Sequence, residues 1–189
     1  DSTPAHSYMK YLYKYPQAAY PYEPIIEANR ARDKQAPEFE LLDTGIFDED
    51  RYFDVFVEYA KAEAEDVLIQ ITVCNRGPEP AEIHVLPTLW FRNTWSRRRK
   101  EEKPELTILG TGADVRAVAA RHRLLGERFL YCEHAADVLF TENETNTQRA
   151  FNQPNQQPYC KDGIIHAVVH GNKNAINPEL HGTKASAHY

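Results

Sequence analysis

Residues 67–95 constrain the fold of this chain more than any other stretch. Two runs rich in β-branched and aliphatic residues flank residues 75–80, whose Asn, Gly and Pro content is typical of a turn. Apolar residues recur at every second position of both runs: Val67, Ile69, Ile71 and Val73 in the first, Ile83, Val85, Leu89 and Phe91 in the second. A period of two predicts two half-buried antiparallel strands joined as a hairpin. The stretch therefore predicts a sandwich or a barrel.

Similar segments occur along most of the chain and predict a mainly β protein. Further strands are predicted at residues 6–16, 38–43, 52–61, 106–109, 115–120, 128–133, 138–141, 164–169 and 182–189. A short helix is predicted at residues 21–32, and the polar residues 142–163 are predicted to form a long loop. The expected fold is an antiparallel β-sandwich with one or two short helices.

Charge and length exclude several classes of partner. The 189 residues suit one domain, and the formal net charge of −6 disfavours binding to nucleic acid or to an anionic membrane. The basic residues 97–100 are followed by acidic ones, which favours a solvated connection over a phosphate contact. No apolar run is long enough to cross a bilayer, and no signal peptide is apparent. These features predict a cytoplasmic protein.

Cysteine and histidine spacing gives no evidence for a metal or a cofactor. Cys74, Cys132 and Cys160 are far apart and include no CxxC pair, which favours reduced thiols over a zinc site. His166 and His170 are four residues apart, a spacing that suits metal binding on a helix. On the strand predicted here they are too far apart to share one ion. We therefore expect no metal and no cofactor.

The residues Leu41-Leu42-Asp43-Thr44-Gly45 resemble the active-site loop of aspartic proteases. In that family two such aspartates share one proton, because two close carboxylates cannot both ionise. A chain with one Asp-Thr-Gly resembles half of a retroviral-type homodimer, with Asp43 as the catalytic residue. The bulky Ile46 that follows departs from the small residue usual in this family. The resemblance leaves a protease as one alternative.

Longer stretches resemble a different family. HSYMKYLYKYPQAAYPYE (6–23), LLDTGIFDEDRYFDVFVEYAK (41–61), NRGPEPAEIHVLPTLWFRNTW (75–95), FTENETN (140–146) and YCKDGI (159–164) resemble bacterial proteins related to glycoside hydrolase family 63, often described as mannosyl-oligosaccharide glucosidase-like. The resemblance implies a much longer protein in which an N-terminal β-sandwich, a supersandwich, precedes a C-terminal (α/α)6 barrel. Residues 1–189 would then be one truncated sandwich domain without the catalytic barrel.

The mechanism implied by this resemblance is inverting hydrolysis of an α-glucosidic bond. One carboxylic acid protonates the leaving oxygen and a second carboxylate activates water. The resemblance assigns both groups to the helical barrel, so we assign no catalytic residue here and expect the chain itself to be inactive. Its expected partner is the remainder of its own polypeptide, and an exposed sheet edge is expected to allow self-association.

By analogy with other multi-domain glycosidases, two segments are candidates for contact with sugar or with the barrel. Indoles stack on sugar faces, and Arg and Asn hydrogen-bond hydroxyl groups. The candidates are Trp90, Arg92, Asn93, Trp95, Glu142, Asn143 and Asn146. The same tryptophans also fit the core or a domain interface. A free-standing carbohydrate-binding β-sandwich, with oligosaccharide as its ligand, is therefore a second alternative.

Overall fold

A computed structural model describes residues 1–96, 102–112 and 114–189. Within these ranges the protein is mainly β with antiparallel sheets, as predicted, and it has three short α-helices where one or two were expected. The chain divides into two units, Asp1–Glu82 and Ile83–Tyr189. The expectation of one truncated domain over residues 1–189 stays a prediction. The solvated connection predicted at residues 97–100 lies outside the described residues.

The first unit contains one antiparallel sheet with the strand order β1-β2-β3. Its elements are β1 (Tyr8–Pro16), α1 (Tyr22–Ala31), a 3-10 helix (Leu41–Thr44), β2 (Tyr52–Glu63) and β3 (Asp66–Asn75). The alternation predicted for the central strand is present, because Phe53 and Val57 lie on one face and are both buried. The strands predicted at residues 6–16 and 52–61 are thus confirmed.

Both outer strands of this sheet carry exposed apolar side chains. On β3, Val67, Leu68 and Ile69 are 47%, 60% and 49% exposed. On β1, Tyr11 and Tyr13 are about equally accessible, at 53% and 50%. β3 is an outer strand of this sheet, whereas residues 1–3 pair with part of β1. An outer strand is a surface on which another strand can pair, and the expected self-association stays a prediction.

The strand predicted at residues 38–43 is wrong. The side chain of Asn29 donates to the Phe39 carbonyl at 2.8 Å and accepts from the Phe39 N–H at 2.7 Å. The Glu40 N–H donates to Asp43 Oδ2 at 2.9 Å, within a reciprocal capping box that starts the 3-10 helix. Local side chains satisfy these backbone groups, so they are not available for a sheet.

Asp54 is the buried charge of the first unit. It is 5% exposed, and its carboxylate accepts from Lys14 Nζ at 2.8 Å and from Arg76 Nε at 2.7 Å. The register places Lys14, Asp54 and Cys74 side by side on the three strands. The hydrogen bonds from Lys14 and then Arg76 lower the pKa of Asp54, against the opposing effect of burial.

We expect the stability of this unit to fall in acid because of Asp54. The folded-state pKa is lower than the unfolded value of about 3.9. The stabilisation is therefore complete above that value and is lost as pH falls through the folded pKa. Denaturant unfolding followed by circular dichroism from pH 7 to pH 2 should show a steeper loss in the wild type than in Asp54→Asn.

At pH 7, Asp54→Asn should cost about 1–2 kcal/mol, less than a fully buried pair, because Lys14 and Arg76 are partly solvated. Glu79→Gln is the matched control. Glu79 pairs with Arg51 but is 71% exposed, so its loss should change stability by less than about 0.5 kcal/mol. Identical pH profiles for the wild type and Asp54→Asn would exclude Asp54 as the cause.

The second unit contains two antiparallel sheets. Its elements are β4 (Thr88–Trp90), β5 (Glu105–Thr111), β6 (Val115–His122), β7 (Gly126–Glu133), β8 (Asp137–Thr141), α2 (Thr147–Phe151), α3 (Gly163–His170), a second 3-10 helix (Lys173–Ala175), β9 (His181–Gly182) and β10 (Lys184–His188). The sheet orders are β4-β10-β8 and β7-β6-β5-β9. The strands predicted at residues 106–109, 115–120, 128–133 and 138–141 are confirmed.

These two sheets share one hydrophobic core, as expected of a sandwich. Leu106 and Val118 come from the β7-β6-β5-β9 sheet, and Phe140 and Ala185 from the β4-β10-β8 sheet. All four are at most 1% exposed. Leu139, Thr141 and Ser186, which lie on the other face of the β4-β10-β8 sheet, are also buried, so both faces of this sheet are at least partly covered.

The hairpin predicted at residues 67–95 is wrong, although its first strand is present. That strand is β3, and it pairs with β2. The second run contributes only the short β4, which pairs with β10 so that Leu89 faces Ala185. Upstream of β4, the Val85 N–H donates to the Tyr189 carbonyl at 2.9 Å, and the Tyr189 N–H donates to Val85 at 3.0 Å. A period of two indicates a strand, but it does not show with which other strand that strand pairs.

The strand predicted at residues 164–169 is also wrong, because these residues form α3. The helix ends at Gly171 in the left-handed conformation, and Ile164 is buried where α3 contacts β8. His166 and His170 are therefore neighbours on one helix, with ring centroids 5.4 Å apart. The described residues contain no group of three or more His, Cys, Asp or Glu arranged to hold a metal ion. The predicted loop at residues 142–163 likewise contains a helix, α2.

Two further observations concern the thiols and the helices. Cys74, Cys132 and Cys160 are all free, as predicted. Across the ranges that the structure describes, every helix is too short or too polar to span a bilayer.

Candidate functional site

The outer face of the β4-β10-β8 sheet carries the residues of interest. Phe140 and Ala185 point into the core, so their neighbours Thr141 and Lys184 lie on the opposite face. The register puts Lys184 directly between Trp90 on β4 and Thr141 on β8. An indole and an ammonium group are thereby adjacent on one surface, although 94 positions separate residues 90 and 184 in the sequence.

Part of this face is covered and part is open. The start of α3 lies on β8, where an added Cβ on Gly163 would be 3.1 Å from Thr141 Cγ2. Trp90, at the other side of the sheet, is 54% exposed. Between them lies a cleft of about 760 Å³, here called the Trp90 cleft. Its lining is Thr88, Trp90, Arg92, Asn93, Ser96, Asn143, Glu144, Thr145, Thr147, Gln156, Gln157, Cys160, Lys161 and Lys184.

Four of the seven candidates from the sequence meet in this cleft: Trp90, Arg92, Asn93 and Asn143. Asn93 Nδ2 donates to the Asn143 carbonyl at 2.8 Å, and Asn143 Nδ2 donates to the Phe91 carbonyl at 2.8 Å. The Asn143 N–H donates to Thr183 Oγ1 at 2.7 Å. These reciprocal bonds join the segment after β4 to the segment after β8 and fix the wall of the cleft.

Trp95 and Glu142 support the cleft without lining it. Trp95 Nε1 donates to Glu144 Oε1 at 2.9 Å. Lys103 Nζ lies 3.0 Å from Glu142 and 3.2 Å from Glu144, and Thr183 Oγ1 donates to Glu142 at 2.7 Å. The partly buried carboxylates are therefore satisfied by protein donors, and their role here is structural.

Asn146 also has a structural role. It is the N-cap of α2, where its Oδ1 accepts from the Arg149 N–H at 3.0 Å. Its Nδ2 donates to the two carboxylate oxygens of Asp162 at 3.2 and 3.3 Å. Arg149 reaches the same carboxylate at 3.3 Å. The pair holds α2 close to the residue that precedes α3.

Lys161 and Lys184 are lining residues that sequence reasoning missed. Lys184 Nζ donates to the Lys161 carbonyl at 2.8 Å. Burial, followed by the charge of Lys161, lowers the pKa of Lys184. Only the strand register brings Lys184 beside Trp90, so no local pattern indicates it. Glu144 was also missed. It lies inside the FTENETN stretch next to Asn143, so the reasoning that made Asn143 a candidate could have included it.

Cys160 contributes a thiol to the lining. Its thiol is buried, and burial, followed by the nearby Asp162 and Glu144, raises its pKa. A thiol held in its protonated form is a poor nucleophile. The cleft instead offers an exposed indole face, amide groups and cations, which are groups suited to binding a polar ligand.

Asp43, the candidate catalytic residue of the protease alternative, belongs to the first unit. It lies in the 3-10 helix Leu41–Thr44, is exposed, and uses its carboxylate to cap the Glu40 N–H. The protease alternative stays a prediction.

Comparison with known proteins gives one informative similarity. No protein-family model matches the chain, and no solved structure matches it. The chain is similar to the "Uncharacterized protein YMR196W" of Saccharomyces cerevisiae, with 33% identity over 223 aligned positions. The alignment covers 100% of this chain and 20% of the yeast protein. The chain thus spans about a fifth of the length of the curated relative it matches.

Proposed function

We propose that this chain is the non-catalytic β-sandwich region of a glycoside hydrolase family 63-like protein. In this proposal it packs on a helical barrel of the same polypeptide, and the Trp90 cleft forms part of the sugar-binding surface. Trp90 stacks on a sugar ring, while Arg92 and Asn93 hydrogen-bond its hydroxyl groups. Hydrolysis of the α-glucosidic bond belongs to carboxyl groups outside this chain.

The observation that carries the proposal is the convergence of residues far apart in sequence. Trp90 ends β4 and Arg92 and Asn93 follow it, whereas Asn143 follows β8, yet all four line one cleft. A half-exposed indole beside amide groups is the usual composition of a sugar-binding surface, because the ring faces are apolar and the hydroxyls are polar.

The length of the yeast relative agrees with a multi-domain protein. The whole chain aligns with about a fifth of that protein, which leaves ample length for a helical barrel. The exposed apolar residues on β3, Val67, Leu68 and Ile69, are further candidates for contact with the rest of such a polypeptide.

Indole NMR signals provide the test, because the chain has two tryptophans. Titration with maltotriose should shift the Trp90 signal and saturate with a Kd of about 1 mM, since a shallow, open cleft supplies few contacts. The Trp95 N–H is bonded to Glu144 and should move little. Trp90→Ala lacks the reporting indole, so its binding is followed through the backbone amide signals of the cleft residues, and it should be weaker by at least about tenfold.

Tyr131→Ala is the matched control, since Tyr131 is 65% exposed on β7, away from the cleft lining. It should leave maltotriose binding unchanged. Micromolar affinity would instead favour a free-standing carbohydrate-binding module. In the complete gene product, α-glucoside hydrolysis with a raised KM and a retained kcat in Trp90→Ala is expected. A complete product inactive on all α-glucosides would refute the family assignment.

A further inference from the structure

Positive charge is concentrated in the Trp90 cleft, although the chain as a whole has a formal net charge of −6. The lining includes Arg92, Lys161 and Lys184 but only one carboxylate, that of Glu144. The cations thus exceed the carboxylate by two charges. A cleft that opposes the overall charge in this way favours an anionic ligand.

The carboxylate is already engaged, whereas two of the cations are not. Glu144 accepts from Trp95 Nε1 at 2.9 Å and lies 3.2 Å from Lys103 Nζ. In the part of the chain that the structure describes, the Arg92 guanidinium and the Lys161 ammonium have no hydrogen-bond or ion-pair partner. Among the described residues, therefore, no side chain or carbonyl competes with a ligand for these two groups.

Lys184 lines the cleft, and only part of the hydrogen-bonding capacity of its ammonium group is used by the protein. One of its three donors goes to the Lys161 carbonyl at 2.8 Å. Burial and the charge of Lys161 lower its pKa, although Asp162 acts in the opposite direction. Asp162 itself is bonded to Asn146 and Arg149. A partly desolvated ammonium beside a second one is stabilised by a bound anion.

We infer that the Trp90 cleft binds the phosphate group of a phosphorylated sugar, with Arg92, Lys161 and Lys184 as the phosphate ligands and Trp90 against the sugar ring. A phosphate monoester carries about −1.5 to −2 charges, which matches the excess of two positive charges. Arg92 supplies the planar pair of donors that suits phosphate oxygens. The sugar part rests on the proposed function, whereas the anion site does not.

Isothermal titration at low salt with four probes tests this inference: glucose, glucose 6-phosphate, glucuronate and inorganic phosphate. Glucose 6-phosphate should bind at least about tenfold more tightly than glucose. Lys161→Gln should weaken glucose 6-phosphate about tenfold and leave glucose binding within twofold. Arg92→Gln also removes a proposed contact to the sugar hydroxyl groups, so it should weaken both ligands, and glucose 6-phosphate more than glucose. Lys173→Gln removes an exposed charge outside the lining and should change neither.

Each other outcome has a defined meaning. Equal affinity of all variants for glucose 6-phosphate would place the anion elsewhere and overturn the inference. Glucuronate binding as tight as glucose 6-phosphate would identify a carboxylate site and overturn the assignment to phosphate. Glucose binding without any gain from phosphate would overturn the inference but leave the proposed function standing. Binding of inorganic phosphate that depends on Arg92 and Lys161, without glucose binding, would support the anion site and overturn the sugar-binding function.

Discussion

Phe140→Ala is expected to remove about 3–5 kcal/mol from the free energy of unfolding of the second unit. Phe140 is 0% exposed, and it packs with Leu106, Val118 and Ala185 from both sheets. Truncation loses the transfer free energy of the ring and leaves a cavity that two facing sheets cannot close. Because whole domains are stable by only about 5–15 kcal/mol, this one change should bring the unit close to unfolding at room temperature.

Tryptophan fluorescence in a guanidinium titration measures this loss, because Trp90 and Trp95 both belong to the second unit. Phe129→Ala is the matched control: the same ring is removed from β7, where it is 49% exposed. It should cost less than about 1 kcal/mol. Similar midpoints for the two variants would mean that the two sheets do not share a core at Phe140.

Loss of Phe140 should also disturb the Trp90 cleft. The Asn177 N–H donates to the Phe140 carbonyl at 2.8 Å, and β8 continues directly into Glu142 and Asn143. The bonds from Asn143 that form the cleft wall thus depend on the position of β8. The packing of the core fixes the positions of the strands, and this brings residues from distant parts of the sequence together in the cleft.

The strands could be predicted from sequence where the pattern is local. On β2, Phe53 and Val57 alternate with residues of the other face and remain buried, as their spacing indicates. Pairing could not be predicted in the same way. The run at residues 83–91 has the same period, yet Leu89 pairs with Ala185, close to the other end of the chain. Contacts between distant residues leave no mark on local periodicity.

The helix α3 shows the same limit for a short apolar run. Four of residues 164–169 are Ile or Val, a composition that fits a buried strand as well as a buried helix. The helix is favoured because it packs against β8 and because Gly171 ends it in the left-handed conformation. The glycine directly after His170 was a usable signal for a helix end. In the cleft, Trp90 and Asn143 could be found by residue type, whereas Lys184 required the register of β10.

Gly163→Ala is expected to cost about 3 kcal/mol, the upper end of the usual range for overpacking. In an open helix the same change would stabilise by up to about 1 kcal/mol, so the expected sign is reversed by packing. A Cβ at residue 163 would overlap the backbone carbonyl of Ala175 and lie 3.1 Å from Thr141 Cγ2. Because the carbonyl belongs to the backbone, no rotation of a side chain relieves the overlap.

Gly110→Ala is the control that isolates this effect, since a Cβ at residue 110 meets no heavy atom within 4 Å. It should change the free energy of unfolding by less than about 0.5 kcal/mol. Gly163→Ala should also broaden or shift the Trp90 indole signal, because the overlap displaces α3 from its contact with β8 beside the cleft. Wild-type stability in Gly163→Ala would show that the 3-10 helix Lys173–Ala175 moves away without cost. The close approach of α3 to β8 would then not determine the shape of the cleft.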